Sequence, residues 1–252
     1  MASDCRVALI TGAAGGIGSA AVEMFRQRGW DVIAIDQAEI KHPGSLAIRA
    51  DLSQPDDIDR IVSRVRSMYS RLDAVVNNAA QQICKPLIET QPAEWDRVMS
   101  TNARAAYLLV VRLHSLLRSV RGCIVNVASI HALATSPGMA AYAASKGALI
   151  SLTRSMAVEL AADGIRANAV LPGAVDTPML VAGLMRPGLP TANSPERSPL
   201  DALAARHPLG RVGRPHDVAQ AIYFLADNES SSFITGQILV VDGGACARLS
   251  TE

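Results

Sequence analysis

Tyr142 and Lys146 stand four residues apart in "GMAAYAASKGALISL", a stretch otherwise made of small and aliphatic residues. Residues with that spacing lie one turn apart on the same face of a helix, so an ammonium would sit beside a phenol. A phenol of pKa about 10 is a poor general base near neutral pH and needs a neighbour that stabilises its anion, each unit of depression corresponding to about 1.4 kcal/mol. Lys146 is placed to supply that charge and so to tune Tyr142. Both residue types are also common on solvated helix faces, so the pair gains meaning only if the rest of the chain builds a site around it.

A second set of residues points to an anion. The loop "TGAAGGIG", Thr11 to Gly18, follows an apolar run and opens an amphipathic segment. There Gly12 permits a tight turn, Gly16 lets backbone N–H groups approach a pyrophosphate, and Gly18 lets the helix pack on its sheet. An acid, Asp36 in "VIAIDQA", ends the next apolar run, which is the context that marks a dinucleotide site. Its carboxylate can accept from ribose hydroxyls and would repel a 2′-phosphate, so the expected cofactor is NAD.

Elements able to hold these groups recur along the chain. Short Val- and Ile-rich runs fall at 6–10, 31–35, 46–50, 74–77, 123–127, 165–170 and 237–241. Each is near-continuously apolar, as parallel strands covered on both faces should be. Helix-like segments lie between them at 16–28, 55–70, 92–118, 140–162 and 216–227. Alternation of this kind predicts an α/β fold, a doubly wound parallel sheet of Rossmann type in one domain spanning residues 1–252. The exception is 178–208, whose six prolines forbid a long helix or a central strand. Its apolar residues Met179, Leu180, Val181, Leu184 and Met185 suggest a substrate lid.

Bulk properties exclude several classes. The charge is +1, from 24 basic and 23 acidic residues, with no basic run to grip a phosphate backbone, so no nucleic acid is expected as a partner. No apolar stretch reaches the length of a membrane span and the N-terminus lacks the basic start of a secretory signal, so the expectation is a soluble, cytoplasmic protein. Cys5, Cys84, Cys123 and Cys246 are scattered without CxxC pairs or a nearby His at ligand spacing, which predicts reduced thiols and no metal site.

Taken in order, "TGAAGGIG", "NNAA" at 77–80, Asn102, Ser129, the Tyr142–Lys146 pair, "PG" at 172–173 and "VDGG" at 241–244 resemble the short-chain dehydrogenases/reductases over about residues 6 to 245. The resemblance implies a catalytic set of Asn102, Ser129, Tyr142 and Lys146. In it Ser129 would hydrogen-bond the substrate oxygen, Asn102 would hold a water relaying protons to Lys146, and Lys146 would also hold the nicotinamide ribose. It further implies that NAD lies against Gly12, Gly16, Ile17, Gly18, Asp36, Asp51, Leu52, Asn78, Ala79, Pro172, Gly173, Val175 and Thr177, besides Tyr142 and Lys146. Asp51 would accept from the adenine amino group, Asn77 would line the adenosine side, and Val175 and Thr177 would meet the carboxamide. Ala80 departs from the family's usual "NNAG", while Gly15 and Gln37 stand where NADP-dependent relatives are usually basic.

For the substrate the resemblance is partial. Gln82 and His131 match positions that bind the carboxylate in the family's 3-hydroxybutyrate dehydrogenases, but those enzymes' lysine is Met139 here and their lid glutamine is Val181. A carboxylate without its lysine is poorly compensated on desolvation. The expectation is therefore a hydride transfer between NAD(H) and a small neutral secondary alcohol or polyol, with Gln82, His131 and Met139 at the substrate. A 3-hydroxyacid dehydrogenase, a 3-oxoacyl-thioester reductase and a catalytically silent NAD-binding regulator are the alternatives, and His131 is equally readable as a structural histidine. Surplus apolar residues on 92–118 and 140–162, with the resemblance, predict a homotetramer or homodimer.

Overall fold

The computed structural model describes residues 5–41, 46–184 and 198–248. Seven strands, β1 (Val7–Thr11), β2 (Asp31–Asp36), β3 (Leu46–Arg49), β4 (Ala74–Asn77), β5 (Cys123–Val127), β6 (Arg166–Pro172) and β7 (Ile238–Val241), form one sheet in the order β3-β2-β1-β4-β5-β6-β7. Every pairing is parallel. Each observed strand lies within a residue or two of its expected run, because continuous apolar sequence is what a strand covered on both faces requires.

Successive side chains leave a strand on opposite faces, and β1 shows the division. Val7 and Leu9 join the core made with Ile58, Leu109, Leu113 and Met156. Ala8 and Ile10 join the other, made with Phe25, Val218 and Ile222. Helices α2 (Pro55–Met68), α4 (Ala105–Arg118) and α5 (Ala140–Glu159) thus cover one face, and α1 (Gly16–Gln27) and α8 (Pro215–Ala226) the other. The chain reverses its direction of strand addition between β1 and β4. The crevice at the carboxyl ends of those two strands is the place where such sheets bind ligands.

Two expectations are modified. The segment 92–118 is not one regular helix: α3 (Pro92–Met99) passes through a π-helical turn at Ser100–Arg104 into α4, with Asn102 buried in the turn. Of 178–208, Pro178–Leu184 belongs to α6 and Pro199–Ala204 forms α7, each opened by a proline at its first position. Residues 185–197, and with them Met185, lie outside the described residues. A four-residue α9 (Asn228–Ser231) follows α8. Among the described residues no helix is long and apolar enough to cross a membrane.

Candidate active site

The glycine loop sits at the crevice. Gly12 has φ +67°, and a Cβ there would come 2.8 Å from both Ala79 Cα and Asn78 Nδ2, so the left-handed turn and the close approach of "NNAA" both demand glycine. Thr11 fastens that approach: its hydroxyl accepts from the backbone N–H of Asn78 and of Ala79, each at 3.0 Å, and Asn78 Nδ2 returns a bond to Thr11 O at 2.9 Å. Helix α1 starts at Gly16 with no side-chain cap and no acid in its first turn, so its leading N–H groups, at Gly16, Ile17 and Gly18, are free to receive an anion. This cradle fits the pyrophosphate of a dinucleotide.

Asp36, at the end of β2, accepts from Ala14 N–H and Ala38 N–H, each at 2.9 Å, which fixes its carboxylate beside the loop. Asp51 accepts from Ser53 N–H at 2.9 Å, and the following Leu52 is buried. Asn77 points away from the expected adenosine side: it is buried and donates to Asn126 Oδ1 at 2.8 Å, pinning β4 to β5. Gly173 N–H bonds Val241 O, and buried Val175 bridges Gly213. Thr177 packs its methyl near Gly16 and offers its hydroxyl oxygen to Leu180 N–H at 3.3 Å, so the "PGAVDT" loop ties the cradle to the start of α6.

Ser129, Tyr142 and Lys146 meet at the end of β5. All three are buried, and Ser129 both caps a short turn, accepting from His131 N–H at 3.2 Å, and hydrogen-bonds the Tyr142 hydroxyl. Lys146 Nζ donates to Val127 O at 2.8 Å and lies 5.6 Å from the centre of the Tyr142 ring. Burial pushes Tyr142 up to about 12, against the pull of the Ser129 hydrogen bond, and pushes Lys146 down to about 7. Desolvation therefore outweighs the tuning expected of the lysine: burial favours the neutral form of both groups.

Asn102 spends its side chain on the scaffold. Its Oδ1 accepts from Gln81 N–H at 2.7 Å, and its Nδ2 donates to Gln81 O and to Ser145 Oγ, both at 2.9 Å. Gln82 donates through Nε2 to Met179 O at 2.9 Å, reaching α6. His131 pairs Nδ1 with Thr135 Oγ1 at 3.0 Å and stands edge-on to the Tyr142 ring at 5.8 Å. Met139 is buried, with Cys84 Sγ 3.7 Å from its sulfur.

A family model described as enoyl-(acyl carrier protein) reductase matches residues 12–246. The chain is 37% identical to the 3-oxoacyl-[acyl-carrier-protein] reductase FabG of Thermotoga maritima, over 97% of this chain and 99% of that one. The chain belongs to the short-chain dehydrogenase/reductase superfamily. It is also 39% identical to the cis-4-hydroxycyclohexanecarboxylate dehydrogenase of Sinomonas cyclohexanicum, over 96% and 97% of the two chains. Among solved structures, the 3-ketoacyl-(acyl-carrier-protein) reductase of Brucella melitensis complexed with NADH superposes with a TM-score of 0.83 at 32% identity, covering 95% of this chain and 98% of that one.

Within this short-chain dehydrogenase/reductase scaffold, Ser145 and the Thr11 hydroxyl have positioning roles that no motif spacing pointed to. Ser145 is fully buried, takes the Asn102 bond and donates to Tyr142 O at 2.7 Å, joining the π-turn to α5. The sign of it lies in the helix period: a hydroxyl three residues after Tyr142 lies on the same helix face. Thr11 stands at the carboxyl end of β1, where its hydroxyl meets the N–H groups of Asn78 and Ala79 just after β4.

Proposed function

We propose that this protein is an NAD(H)-dependent oxidoreductase that interconverts a small neutral secondary alcohol or polyol and its ketone. The observation that carries the reading is the buried cluster of Ser129, Tyr142 and Lys146 beside the glycine cradle. Bound NAD supplies the hydride acceptor, and NADH the donor. Tyr142 takes the hydroxyl proton as the alcohol is oxidised and returns it when the ketone is reduced. Ser129 donates to the same substrate oxygen and holds it against the charge that develops there. Lys146 holds the ribose, and when protonated it lowers the cost of the Tyr142 phenolate. Asn102 fixes Gln81 and α5 in place. Asp36 selects NAD, because a 2′-phosphate would face its carboxylate.

Neutrality of the substrate is supported by the charges nearby. Gln82 and Met139 bring no cation, and Lys85, whose N–H bonds Gly138 O next to Met139, is paired with Glu94. A thioester reductase is the second reading, favoured by the likeness to FabG and compatible with Asp36, since the similar 3-ketoacyl-(acyl-carrier-protein) reductase of Brucella melitensis is complexed with NADH. A cofactor-linked screen of cyclic alcohols, diols, 3-hydroxyacids and 3-oxoacyl thioesters tests this. The highest kcat/KM is expected for neutral secondary alcohols with NAD. Preference for an acid or a thioester would refute the substrate class, and no turnover with any would favour a silent regulator.

We also assign α6 to a lid over the substrate, since Thr177 tethers it to the "PGAVDT" loop. The protein is proposed to be cytoplasmic and a homotetramer: Tyr107 and Val111 on α4, Val158 on α5, and Phe224, Phe233 and Val240 around β7 leave two apolar surfaces exposed. A monomer by light scattering at micromolar concentration would refute the assembly.

A further inference from the structure

In the described part of helix α6, Pro178–Leu184, only Gly183 is buried. Thr177 holds its first turn locally, and a second hold comes from far away in sequence. Gln82 Nε2 donates to Met179 O in its first turn, across 97 positions, and the same nitrogen lies against Gly183, where a Cβ would come within 2.9 Å. Glycine at 183 leaves room for that amide.

The support of the amide is rigid. Gln81, the preceding residue, has both its N–H and its C=O bound by the Asn102 side chain, and Asn102 is bound in turn by Ser145, whose hydroxyl bonds Tyr142 O. An unbroken series of hydrogen bonds and one peptide link therefore runs from the backbone of Tyr142 to that of Met179.

We infer that Gln82 is a positioning residue that latches α6 to the Tyr142 helix, and is not a ligand of the substrate. This rests on the reading of α6 as a wall over the substrate site. The latch sets the distance between that wall and the hydroxyl of Tyr142, and so the size of alcohol accepted.

Gln82→Met keeps the length and removes the donor. In the NADH-bound protein, hydrogen exchange across 178–184 should then quicken by about fivefold, the worth of one net hydrogen bond. KM should rise by a similar factor for every alcohol tested, plain cycloalkanols included, with the loss falling on KM more than on kcat and NADH Kd unmoved. Gln82→Glu, which sets an acceptor against Met179 O, should do more. Unchanged exchange at 178–184 would overturn the inference, whether KM stays put or rises only for substrates carrying a second polar group. The exchange measurement needs no turnover, so it stands even if Tyr142→Phe retained activity and the oxidoreductase reading itself failed.

Discussion

Replacing Lys146 with Met should flatten the dependence of stability on pH in the cofactor-free protein. Lys146 is 1% exposed, and burial lowers it from 10.5 to about 7. Between those two values the unfolded chain holds a proton that the folded chain does not, so stability rises with pH; the penalty is complete below the folded value and gone above the unfolded one. At about 1.4 kcal/mol per unit, and with the lysine half protonated at the lower end, the gain from about pH 7 to pH 9 is about 2 kcal/mol. Burial raises Cys123 from 9.0 to about 12, which pulls the other way near pH 9 because the unfolded thiol loses its proton first. Cys246, raised to about 11 mainly by burial and then by its bond to Asp242, acts in the same sense. Tyr142, at about 12, does not titrate in this window. Both thiols remain in Lys146→Met, so subtracting the variant's pH dependence from the wild type's isolates the lysine. Urea unfolding followed by circular dichroism at the two pH values gives the difference. If wild type and variant gained equally on going to the higher pH, Lys146 would not be buried neutral and the desolvation argument would be wrong.

Tyr142→Phe should lower kcat by about 10²-fold or more while leaving NADH affinity unchanged by fluorescence titration, since only the proton-carrying hydroxyl is lost; near-normal turnover would refute the assignment. Asp36→Ala with Gln37→Arg removes the carboxylate facing the 2′ position and adds a phosphate partner. The ratio of kcat/KM for NADP over NAD should rise at least about tenfold, worth about 1.4 kcal/mol, and equal use of both cofactors by the unaltered protein would contradict the role of Asp36. Ser145→Ala breaks the bond between Asn102 and α5 and should cost about 1 kcal/mol, lowering Tm by about 2–4 °C, with Ser145→Thr no more disruptive than Ala if the hydroxyl is what matters. Gly12→Ala should abolish cofactor binding, because its Cβ would meet the backbone of Ala79 and its φ is left-handed.

The sequence by itself determined the sheet and the residue types of the site. Seven apolar runs, a glycine loop after the first, an acid after the second and a Tyr–Lys pair one turn apart are local patterns, and local patterns survive in one dimension because strand and helix periods are short. Pro178 and Pro199 likewise stand at the first positions of α6 and α7, where a proline's fixed φ suits a helix start. Only the tertiary structure decided what those side chains bond to. Lys146 donates to Val127, 19 residues away, and Asn102 to Ser145, 43 away. Gln82 reaches Met179, and Asn77 turns to Asn126 instead of the cleft. Nor did spacing reveal the π-turn around Asn102, or that burial drives Tyr142 and Lys146 toward neutrality. Both depend on how closely distant segments pack, and desolvation and hydrogen-bond partners are properties of that packing, not of the order of residues along the chain.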